Sequence, residues 1–95
     1  MKDIDTIEKI KERIRLSSSR NDIEIQDLID SAMREMEIKG VSGSLDDPLY
    51  LQATVLYCKA RYGYDEQSDE FFRAFQQLTD SMALSGEYRK GKEDV

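Results

Sequence analysis

The sequence predicts an all-α fold: a small bundle of four helices over residues 1–86, followed by a flexible C-terminal tail over residues 87–95. Three observations predict it. Apolar residues recur at spacings of three and four in four separate stretches, helix-start and helix-stop residues bracket those stretches, and two of the connections are short enough to favour antiparallel neighbours.

The first helix is expected from about residue 5 to 16. Ile4, Ile7, Ile10 and Ile14 fall on one side of it, and Asp5 with Glu8 fits a capping box. Acids at its front and Lys9, Lys11, Arg13 and Arg15 behind them suit the helix dipole. The run SSSRN, Ser17 to Asn21, reads as a loop. Asn21 and Glu24 repeat the capping pattern ahead of a second helix, whose stripe is Ile25, Leu28, Ile29, Ala32, Met33 and Met36 and which ends near Gly40.

The stretch GVSGSLD is a turn-rich connection. Asp47 before Pro48 then marks a strong start for the third helix, because the acid caps free amides and proline is tolerated at the first helical position. Leu49, Ala53, Leu56 and Ala60 line one side of that helix, with Tyr50 and Tyr57 on an adjacent stripe packing inward. Gly63 makes a corner and Asp65 caps the fourth helix, whose apolar face is Phe71, Phe75, Leu78 and Met82 with Phe72 beside them. Gly86 closes it. The tail EYRKGKEDV carries three bases and three acids, has almost nothing to bury, and is expected to move unless a partner holds it.

Composition narrows the function. One domain fits 95 residues, and a net charge of −6 argues against a protein whose main task is gripping nucleic acid. The single cysteine, Cys58, permits no intrachain disulfide and suits a reducing compartment. No apolar run approaches the length of a membrane span, and the opening MKDIDTIEKI lacks a signal-peptide core.

Little in the sequence resembles an active site. Histidine is absent, which removes the usual general base, the triads that need it and the commonest zinc ligand. Cys58, next to the tyrosine stripe, reads as a packing residue. The segment GEYRKGK, Gly86 to Lys92, matches the first seven positions of a phosphate-binding loop, but Glu93 stands where a Ser or Thr should hold magnesium and no strand precedes it. Asp46-Asp47 and Asp65-Glu66 read as helix starts and not as catalytic pairs, so no catalytic, cofactor or metal residue is assigned. For partner binding the candidates are Lys9, Arg13 and Arg20 in the basic cluster Lys9 to Arg20, Tyr62 and Tyr64 at the corner, and Tyr88, Arg89, Lys90 and Lys92 in the tail.

The segment DPLYLQATVLYCKARYGYDEQSDEFFRAFQQLTDSMALSGEY, Asp47 to Tyr88, closely resembles the small head-tail connector proteins of tailed bacteriophages, also labelled putative DNA-packaging proteins. The DP helix start, the YGYDE corner, the aromatic fourth helix and the closing LSGEY carry the resemblance, with IQDLIDSAMREMEIKG similar to the family's second helix. The resemblance implies a non-enzymatic virion protein, a homo-oligomeric ring of typically twelve subunits docked on the portal protein. Such a ring extends the channel through which DNA passes and receives the next connector or tail protein; its subunits need no cofactor and no membrane. The protein would be made in the bacterial host cytoplasm and act at the head-tail junction. The other readings are a small helical DNA-binding regulator and a protein-interaction adaptor.

Overall fold

The computed structural model describes residues 4–13, 22–61 and 68–89. Four helices account for most of these: α1 (Ile4–Arg13), α2 (Asp22–Ile38), α3 (Pro48–Arg61) and α4 (Ser68–Ser85), and no strand occurs among the described residues. The all-α bundle is therefore the fold. The SSSRN loop, the Gly63 corner and the Asp65 cap lie outside the described residues.

Helix α3 is the centre of the bundle. It packs most extensively on α4 and next on α2, while α1 rests on α2. Tyr50, Leu51, Ala53, Thr54, Val55, Tyr57 and Cys58 are all buried, so α3 is enclosed round most of its circumference. This corrects the single-sided stripe expected from the sequence. Leu49 at the head of that stripe is exposed, and Leu56 and Ala60 are only half-buried, because α3 has neighbours on more than one side.

Two clusters fill the space around it. Ala32, Met36 and Val41 meet Tyr50, Ala53 and Tyr57 of α3 and Phe75 and Met82 of α4. Ile10 of α1 meets Ile25 and Ile29 of α2 and Leu51, Val55 and Cys58 of α3. Tyr57 and Phe75 pack edge to face with ring centroids 5.2 Å apart, an arrangement that suits the aromatic quadrupoles. Contacts from Asp47–Tyr88 at one end to Lys59–Phe71 at the other show that α3 and α4 run antiparallel. Tyr50 lines a hollow with Asp30, Arg34 and Glu37 on one flank of α2, whereas Tyr57 and Arg61 reach Glu35 on the other.

Helix ends follow the residues that favour them. Gly40 adopts a left-handed φ of 91° after α2, where its own N–H donates to the Glu37 carbonyl and the Val41 N–H donates to that of Met36. These two bonds satisfy carbonyls the helix end would leave free, and buried Val41 joins Met36 in the core. Lys39 ties the same end to α4: its Nζ donates to Thr79 Oγ1 at 2.7 Å and pairs with Asp80 at 2.7 Å. Thr79 and Thr54 are buried hydroxyls that the apolar stripes did not include, and each is satisfied by donating to the carbonyl four residues earlier.

Gly43 is required for a different reason. A Cβ built on it would stand 2.8 Å from Cδ2 of the buried Tyr50 ring. Gly43→Ala is therefore expected to lower stability by roughly 1–3 kcal/mol through overpacking. Urea unfolding of the two proteins side by side checks this, and equal midpoints would show that the connection yields without cost.

Candidate functional site

The end of the bundle where α3 begins and α4 finishes holds the densest set of polar ties among the described residues. Asp47 is its hub. One carboxylate oxygen, Oδ2, accepts the Tyr50 N–H at 3.0 Å, which caps α3, and also accepts the Tyr88 hydroxyl at 2.6 Å. Pro48 follows as the first helical residue, so the lost N–H there costs nothing. The Asp47 carbonyl takes the first backbone bond of the helix, from Leu51 N–H.

Tyr88 reaches Asp47 because the chain reverses at Gly86, whose φ is 78°. Ser85 Oγ donates to the Met82 carbonyl and accepts the Glu87 N–H, which holds that turn. The Ser42 N–H then donates to the Tyr88 carbonyl at 2.6 Å, so the last turn of α4, the α2–α3 connection and the start of α3 are clasped together. Asp47 is held below the ordinary carboxylate range, first by the Tyr88 hydrogen bond and then by the Tyr50 amide. The Tyr88 phenol is pushed up to about 12 by the same bond, with smaller contributions from burial and from the charges of Asp47 and Glu87.

Beside the clasp lies an open groove of about 430 Å³, walled by Leu49, Leu78, Met82 and Tyr88 and edged by Asp47, Ser81, Ser85 and Glu87. Two carboxylates and no base line it. Leu84, on the turn between Ser81 and Ser85, is 88% exposed.

The residues selected from sequence do not gather into one site. Lys9 and Arg13 are exposed on α1, but Lys11 between them is buried, which breaks the expected run of surface charge. Tyr88 is half-buried and turned inward to its own chain, and Arg89 beside it is exposed. Arg20, Tyr62, Tyr64, Lys90 and Lys92 lie outside the described residues, as do Asp65 and Glu66. The glycine that opens GEYRKGK follows a helix and not a strand, and Lys90, Gly91 and Lys92 lie outside the described residues. Sequence reasoning missed the groove. No spacing in α4 marks it, because it forms only where Leu49 and Tyr88 meet the Leu78, Ser81, Met82 and Ser85 side of that helix.

Cys58 is fully buried, and desolvation pushes its thiol up to about 12. Among the described residues no three metal-ligating side chains converge, and no helix is long and apolar enough to cross a membrane. A family model described as phage connector protein matches residues 6–89, well over half of the chain and all four helices. No curated protein and no solved structure matches.

Two outcomes follow from this geometry. Tyr88→Phe is expected to lower the urea midpoint at pH 7. Asp47 has a depressed folded-state value, so the clasp's contribution is complete above about pH 4 and is lost as pH falls through that lower value. The gap between wild type and variant should accordingly shrink at pH 2; a gap that does not change with pH would break the link to the carboxylate. Cys58 should stay unreactive toward a disulfide reagent in the native protein and react only as urea unfolds it, which a colorimetric thiol assay reads directly.

Proposed function

The chain belongs to the phage connector protein family, whose members are structural proteins of the virion, and on that premise we propose that it is one subunit of a ring docked on the portal vertex. The ring joins the phage head to the tail and extends the DNA channel once the head is filled. The observation that carries this reading is the family match across residues 6–89, which spans α1 through α4 and the clasp as one unit.

Physical features support it. Closing a ring requires each subunit to present two different faces, since head-to-tail contacts repeat one interface around the axis. Exposed Lys9 and Arg13 on α1 beside a body of net charge −6 provide surfaces of opposite sign. The acidic balance also suits a lumen along which DNA slides without adhering. Arg89, Lys90 and Lys92 follow the clasp and form the basic element that meets the portal protein, while the opposite end of the ring receives the next connector or the tail.

A DNA-binding regulator needs a recognition helix with an open, base-bearing face. Helix α3 is enclosed instead, and nothing in the described residues favours the regulator or the adaptor.

Removing the gene from its phage is expected to give heads that fill with DNA but do not acquire tails, with infectious titre falling by orders of magnitude. Electron microscopy of the lysate reads the result. Tailed, infectious particles formed without the protein would overturn the proposal.

A further inference from the structure

The groove between the start of α3 and the end of α4 has no role in the fold. Exposed Leu49 and half-buried Leu78 leave apolar surface open along it, with buried Met82 of the core directly behind. Leu49 is 48% exposed, so it leaves apolar surface in water at the mouth of the groove. Tyr88 forms one side of the groove and is fixed there by Asp47 and Ser42, which makes the cleft a preformed feature and not a gap left by a loose side chain.

We infer that this groove is a docking site for a basic, apolar segment of a different virion protein: a leucine-like side chain seated between Leu49 and Leu78, with a neighbouring lysine or arginine facing Asp47 and Glu87. Charge selects the occupant. The lining holds two carboxylates and no base, and Asp47 keeps its negative charge at neutral pH because its hydrogen bonds favour the ionised form. An incoming cation beside an apolar anchor satisfies both parts of the cleft, and such anchor-and-rim arrangements carry most of the energy in small interfaces.

A second copy of this chain fits poorly. Among the described residues its exposed large apolar side chains outside the groove are Ile23 and Ile38 on α2, at 78% and 72% exposure, and Leu84 on α4. Leu84 has Asp80 and Glu87 one turn to either side, and the exposed Lys9 and Arg13 of α1 have buried Ile10 between them. Ile23 has Glu24 beside it and Asp27 one turn on. The bases near Ile38 are already engaged, Arg34 with Glu37 and Lys39 with Asp80. Seating either isoleucine would bring acid against acid, which opposes binding.

This inference names a partner surface for the connector reading and rests on it, so two experiments separate their failures. The first is independent of assembly. The ¹⁵N-labelled chain is titrated with the capped peptide Lys-Leu-Arg, and with the capped peptide Glu-Leu-Glu as control. Shifts confined to the amides of Leu49, Ser81, Met82, Ser85 and Tyr88, seen with the basic peptide and lost in Leu49→Glu, are expected. Leu49→Glu changes an exposed position, and its circular dichroism melt confirms that it folds. Shifts scattered over the surface, equal shifts from the acidic peptide, or none at millimolar concentration would overturn the groove as a basic-apolar site. The second follows Leu49→Glu in phage particles. Loss of the neighbouring virion component with this chain still present in the head supports the inference; complete, infectious particles refute it and leave the connector reading intact.

Discussion

Everything in this bundle depends on burying α3 on several sides at once. Any helix leaves its first amides without partners of its own, and they must be satisfied from outside it. At the N-terminus one carboxylate meets that need. Asp47 caps the helix, Pro48 removes a donor that would otherwise be orphaned, and the surrounding chain is arranged so that Ser42 and Tyr88 close over the same point. Replacing the central helix by a one-sided amphipathic rod would leave α2 and α4 without a common partner, since neither packs extensively on the other.

Asp47 therefore couples two elements far apart in the chain. The hydroxyl of Tyr88, 41 residues away, strengthens a capping charge that already faces the positive end of the helix dipole. In return the clasp holds the chain at Tyr88 against the start of α3. The cost of holding Tyr88 in place is offset by an anionic acceptor that burial alone could not supply, and the two perturbed acidities are opposite signs of the same bond.

Much of the architecture was legible because it is written in local chemistry. The DP start of α3, the glycines at 40 and 86, and the stripes of α2 and α4 each follow from backbone geometry or helical periodicity, and the structure places them accordingly. What could not be read was tertiary. The periodicity of α3 suggests one stripe because pattern alone does not say how many neighbours a helix has, and the burial of Lys11 depends on what lies over α1. Tyr88 belonged to a polar segment with nothing to bury, yet a single acceptor 41 residues earlier gives it a fixed place. The groove arises only when α4 turns back at Gly86, so no spacing in the chain announces it.

The distribution of apolar surface bears on how such a protein is used. A leucine that remains 88% exposed adds almost nothing to folding, since the hydrophobic contribution scales with the area removed from water. It raises the risk of unwanted association instead. In a chain of net charge −6, Asp47 and Glu87 beside exposed Leu49 set like charge against the same corner of an identical copy. The same charges become attractive to a partner that brings lysine or arginine. On the docking proposal, an apolar cleft guarded by acids would refuse identical copies and accept a different protein with the same few residues.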